Sequence, residues 1–116
     1  MILKDCIKVL EAQVAVSVPD LEMDIQVACG ADLMSDVMAF ACASNEMLLT
    51  GLVNPQAIRT AEMMDVKVVV FVRGKQPGEA VLELARQMGI CVLTTPLPMF
   101  TACGVLYSHG VLGKGG

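Results

Sequence analysis

Apolar positions along the chain follow two periods, and the switches between them outline its elements. Leu3, Ile7 and Leu10 recur at helical spacing, which predicts a short amphipathic helix over 3–11. Val14, Val16 and Val18 then alternate with small or polar residues, Pro19-Asp20 breaks the run, and Ile25, Val27 and Cys29 alternate again up to Gly30. These read as two strands joined by a turn. From Asp32 a helical stripe returns through Leu33, Val37, Phe40 and Ala41, with Asp32 or Ser35 near its start as a cap. After a polar break at Ser44-Asn45-Glu46, the short apolar run Met47-Leu48-Leu49-Thr50-Gly51 reads as a buried strand.

The rest is punctuated as repeated strand and helix. Asn54-Pro55 is an N-cap followed by proline at the first helical position, with Ala57, Ile58, Ala61 and Met64 as the stripe behind it. Lys67 to Val72 is β-branched and unalternating, the composition of a strand covered on both faces. Pro77 opens the next helix, which carries Val81, Leu84, Ala85 and Met88, and Gly89 supplies its left-handed C′ residue. Ile90 to Thr94 is another strand, and Pro96 and Pro98 introduce a last helix through about Ser108. Strands alternating with helices imply an α/β fold with a largely parallel sheet flanked by helices. Strand order stays open, with antiparallel pairing of the first two strands at one edge as one arrangement.

At 116 residues the chain can bury one core, so a single domain over 1–112 is expected, with 113–116 as a flexible tail. The apolar runs are a strand long, too short for a bilayer, and the N-terminus lacks signal-peptide features, so the cytoplasm is the expected compartment. A net charge of −4 without a Lys/Arg cluster argues against nucleic acid, as does a supply of one tyrosine, three phenylalanines and no tryptophan for base stacking. Cys6, Cys29, Cys42, Cys91 and Cys103 are odd in number and widely spaced, which suits free thiols packed as small hydrophobes. Most of the nine methionines lie on helix stripes and read as core filling. Hydrophobic residues at 55% exceed what one small core readily hides, which favours a homodimer or a protein partner.

In an open parallel sheet, ligands bind beyond the carboxyl ends of the strands. The predicted strand ends deliver Thr50-Gly51 with Asn54, Arg73-Gly74-Lys75, and Thr94-Thr95 to that edge. Glycines admit close backbone approach, the cations supply charge and the hydroxyls hydrogen bonds, so the set fits a small anionic ligand or a nucleotide. The same residue types also serve βα turns and helix caps, which is their structural use. Asp32 and Asp36, one helical turn apart and with Asp24 in reserve, could offer oxygen ligands to a divalent cation in a small hydrolase or transferase. Carboxylates at a helix start are equally favoured by capping and by the dipole, so neither a metal nor a cofactor is expected. His109, the only histidine, falls at the end of the last helix, and the common nucleophile, zinc and phosphate-loop motifs do not occur. No catalytic residue is assigned.

Gly30-Ala31-Asp32-Leu33-Met34-Ser35-Asp36-Val37, Leu49-Thr50-Gly51 with Asn54-Pro55, Val70-Phe71-Val72-Arg73-Gly74, and Leu93-Thr94-Thr95-Pro96 resemble the DRTGG domain family. That fold is also found as the N-terminal domain of HPr kinase/phosphorylase. The likeness runs over nearly the whole chain, its most specific block carries Gly30, Asp32, Ser35 and Asp36, and the literal string D-R-T-G-G is absent. The resemblance implies a non-catalytic regulatory or ligand-sensing module that forms dimers and accompanies nucleotide-binding CBS pairs in pyrophosphatases. It implies no kinase activity, because the phosphate-binding loop of HPr kinase lies in a separate domain.

Overall fold

The structure, a computed structural model, describes residues 1–40 and 46–113. Ala41, Cys42, the Ser44-Asn45 part of the predicted break and residues 114–116 of the predicted tail lie outside it. The elements run α1 (Leu3–Val9), β1 (Gln13–Val16), β2 (Val27–Gly30), α2 (Met34–Phe40), β3 (Glu46–Thr50), α3 (Pro55–Met63), β4 (Val68–Phe71), α4 (Glu79–Met88), β5 (Cys91–Thr94) and α5 (Met99–Ser108).

One five-stranded sheet has the order β1-β5-β4-β3-β2. β2, β3, β4 and β5 are parallel neighbours, and β1 runs antiparallel along β5 with Gln13 opposite Thr94. The expected α/β class and an antiparallel edge are both present. The first two strands, however, do not pair as a hairpin: they occupy opposite edges of the sheet. β1 pairs with β5 and β2 with β3, and Ile25 lies outside β2, buried with its N–H donated to the Met1 carbonyl.

Helices cover both faces, as the unalternating strands require. On one side α2, α3 and α4 set Val37, Ile58, Ala61, Val81 and Ala85 against Leu48, Val69, Phe71 and Val92. On the other α1 and α5 set Leu3, Cys6, Leu10, Ala102 and Leu106 against Met47, Leu49, Val68, Val70 and Leu93. Two local signals stand where they were read. Asn54 caps α3 through Oδ1, which accepts the Ala57 N–H at 3.3 Å, and Gly89 ends α4 with φ of 70°. Pro77 lies just before the N-cap Gly78 instead of opening the helix, and Glu46, read as part of a polar break, is buried as the first residue of β3. Met34 and Met47 fill the core, whereas Met38 and Met63 are exposed.

Candidate functional site

The connection after β4 leads to α4 on one face of the sheet, and the connection after the neighbouring β5 leads to α5 on the other. Chains that part to opposite faces leave a crevice between them at the carboxyl ends of the two strands, the usual ligand position in open α/β sheets. Here Arg73 donates its N–H to the Leu97 carbonyl and Gly74 donates to the Thr95 carbonyl, both at 2.9 Å, so the two strand exits are laced together at the base of the crevice.

Arg73 is the unusual residue of this rim. Its φ of 62° lies in the left-handed region, followed by Gly74 at 68°. Glycine adopts that backbone freely, and an arginine there costs about 1 kcal/mol. The turn aims the guanidinium sideways, over Gly51 at the end of β3. A Cβ added at Gly51 would collide with Arg73 Nη2 and come within 3.2 Å of Asp32 Oδ1. The cation and the carboxylate close over Gly51, and any side chain there would push the guanidinium aside.

Asp32 completes the group. Its Oδ1 accepts the Gly51 N–H at 2.7 Å and the Thr50 hydroxyl at 3.4 Å, and its Oδ2 stands 3.9 Å from Arg73 Nη2. Lys75 Nζ donates to the Gly51 carbonyl at 2.8 Å. Both members of the Arg73–Asp32 pair are about half exposed, so the attraction is loose and solvent-screened. Asp32 lies ahead of α2 and turns toward the strand ends, so it and Asp36 do not share a helix as the spacing suggested. Asp24 is held by Gln26 Nε2 and the Met1 amino group, which keep its carboxyl below the usual carboxylate range. Among the described residues no three acidic, histidine or cysteine side chains gather as a metal site would require.

The remaining rim residues divide by use. Thr50 accepts the Leu52 N–H, Asn54 caps α3, and buried Thr95 donates to the Leu10 carbonyl while accepting the Leu97 N–H. Their polar atoms shape the turns. The Gly74 N–H is taken as well, so an anion here would be met by side chains and not by a backbone cradle. Gly30 serves packing: a Cβ there would stand 2.8 Å from Cys103 Sγ. Ser35 and Asp36 are exposed in the first turn of α2, where a carboxylate suits the helix dipole.

Thr94 belongs to a different part of the edge. With Thr95, Gly74 and Pro96 it lines an open cleft of about 240 Å³ whose other walls are Glu11, Gln13 and Gln76. Glu11 and Gln13 escaped the sequence reading because they reach the rim only through the pairing of β1 with β5. Gln76 adjoins the Arg73-Gly74-Lys75 motif, a nearness that could have flagged it.

No family model matches the chain, and no curated protein matches it. A solved structure does: the CBS and DRTGG domains of the regulatory region of Clostridium perfringens pyrophosphatase, complexed with the activator diadenosine tetraphosphate. It superposes with a TM-score of 0.69 at 17% sequence identity over 90% of this chain, which spans 45% of that structure. The fold is DRTGG-like. The DRTGG-like arrangement here is the mostly parallel sheet with its antiparallel edge strand and two helical layers. Among the described residues of this DRTGG-like chain, no helix is long and apolar enough to cross a membrane.

Proposed function

We propose that the chain is a non-catalytic regulatory module that senses a small phosphate-bearing ligand, with Arg73 and Lys75 as the groups that meet the phosphate. One observation carries this reading: Arg73, a long cationic residue, is held in a left-handed backbone at the end of a central strand, half exposed and only loosely paired. Strain of that kind gathers at functional sites, and an arginine there could exchange Asp32 for a better anion. The fold it shares with a regulatory region bound to a nucleotide activator points the same way. Thermal melting against adenine and guanine nucleotides and inorganic pyrophosphate, with and without magnesium, tests it. A ligand that binds only the native state at 100 times its Kd adds about 2.7 kcal/mol and raises Tm, and Arg73→Gln should abolish the rise. Melting curves that no member of the panel moves would refute the reading.

Self-association is the second part of the proposal. α5 carries no charged residue from Met99 to Ser108, and Phe100 and Tyr107, two turns apart, are 89% and 60% exposed. Two aromatic side chains of roughly 150–250 Å² each contribute a substantial share of the roughly 800 Å² per partner of an ordinary stable interface. A second copy of this chain, facing α5 with its own α5, is the occupant proposed for this face. Sedimentation velocity should give a dimer that Phe100→Ser with Tyr107→Ser converts to monomer. A wild-type monomer at micromolar concentration would remove this part and leave the ligand reading intact.

A further inference from the structure

Charge is distributed unevenly along the rim. Arg73 and Lys75 both turn toward Gly51, at the end of β3, while the residues lining the cleft at the ends of β4 and β5 include Glu11, Gln13, Gln76 and Thr94. Among the described residues no cation lines that cleft, so a phosphate would meet repulsion there, whereas a group with hydroxyl donors would find acceptors. No aromatic ring among the described residues lines it either, which disfavours a stacked base and favours a sugar. A volume of about 240 Å³ suits one end of a ligand, since complete small-molecule pockets run from roughly 300 Å³ upward.

Glu11 supplies the second observation. It follows the C-cap of α1 with φ of 54°, at the C′ position where glycine is the usual occupant, and the Ala12 N–H returns to the Ile7 carbonyl. Three non-glycine residues in the described chain have positive φ: Glu11, Asp65 and Arg73. Aspartate tolerates that region comparatively well, but glutamate and arginine do not. The two costly cases both fall on the carboxyl rim and carry opposite charges.

From these we infer that the rim is a two-part site for a nucleoside diphosphate, with the ribose in the cleft, its hydroxyls donating to Glu11 and the neighbouring amides, and the phosphates on Arg73 and Lys75. The two parts lie about two strand spacings apart, β5 to β3, or roughly 10 Å, a span of the same order as that from a ribose to the second phosphate. A carboxylate that takes ribose hydroxyls beside a separate phosphate locus is an arrangement other α/β sheets use. Glu11 also sets polarity, because its charge excludes the phosphate end from the cleft.

The assignment rests on the phosphate reading above, and calorimetric titration of the full chain with ADP, 2′-deoxyADP and inorganic pyrophosphate separates the two. The expected result is that Glu11→Gln weakens ADP about tenfold and leaves pyrophosphate within twofold, that 2′-deoxyADP binds the wild type about as weakly as ADP binds the variant, and that Arg73→Gln weakens all three. Glu11→Gly, which relaxes the backbone, should repeat the Glu11→Gln loss in a chain that melts no lower than wild type. If Glu11→Gln and Glu11→Gly leave ADP unchanged, or weaken ADP and pyrophosphate alike, the ribose assignment is overturned while the phosphate reading stands. If neither ADP nor pyrophosphate binds the wild type, both fall together.

Discussion

Asp32 and Arg73 approach to 3.9 Å across the face of Gly51, and the carboxylate that faces the guanidinium also holds the Gly51 N–H at 2.7 Å. One side chain therefore does two jobs: it fixes the end of β3 and it occupies the cation that a phosphate would need.

Separating those jobs gives the first prediction. Asparagine at 32 can still accept from the Gly51 N–H but no longer competes for Arg73. A charge pair near 4 Å in largely aqueous surroundings is worth about 1 kcal/mol. Asp32→Asn should therefore raise pyrophosphate affinity about fivefold by calorimetry, with little change in Tm. Unchanged or weaker binding would show that Asp32 does not compete with the ligand.

Arg73→Gly separates stability from binding. The left-handed backbone at 73 costs arginine about 1 kcal/mol, and glycine gives back a similar amount in chain entropy. Urea unfolding should place the variant within about 0.5 kcal/mol of wild type, while phosphate binding falls at least tenfold. A loss of several kcal/mol would instead make Arg73 a structural residue.

Asn54 is the converse case, because its side-chain oxygen is already committed to the Ala57 N–H. Asn54→Ala should lower stability by about 1 kcal/mol in denaturant titration and leave ligand affinity within twofold. A large affinity loss at unchanged stability would return Asn54 to the binding set.

Gly30 is held small by α5. Alanine there would press on Cys103 Sγ at 2.8 Å and Met99 Sδ at 3.1 Å, and overpacking of this kind costs about 1–3 kcal/mol. Gly30→Ala should be destabilised by that amount, and adding Cys103→Ala should recover much of it, as a double-mutant cycle would show.

Alkaline pH probes the core. Burial pushes the Cys6 and Cys91 thiols up from 9.0 to about 11. A thiol with a raised folded pKa stays protonated in the fold after it would ionise in the unfolded chain, so the fold binds more protons above pH 9. Stability is unaffected by these groups below about pH 9 and should fall between 9 and 11. Cys6→Ala with Cys91→Ala should flatten that fall, measured as Tm against pH relative to each protein's own value at pH 8.

The parts of the fold legible in the chain were those written in neighbouring residues. Asn54-Pro55 announces α3, Gly89 closes α4, Pro98 sets up α5, and the valine run of β4 shows its double coverage without any partner in view. Long-range pairing was not legible. Two strands close in sequence suggested a hairpin, yet β1 meets β5 and β2 meets β3, choices that depend on how the whole sheet closes. The same blindness hid Glu11 and Gln13. The rim motifs at Thr50-Gly51 and Arg73-Gly74-Lys75 were readable as strand ends, but which atoms were already used by turns emerged only from the hydrogen bonds. Spacing also misled at Asp32 and Asp36, since a helical count assumes a helix and α2 begins after Asp32.

The ¹⁵N–¹H spectrum of the chain titrated with inorganic pyrophosphate tests the central claim most directly, since it reports where an anion settles. The amides of Gly51, Arg73, Gly74 and Lys75 should shift most and saturate together, with those of Arg59, Ala80 and Glu83, in the hollow between α3 and α4, unmoved. Saturating shifts centred on that hollow, or none at the strand ends up to millimolar ligand, would contradict it.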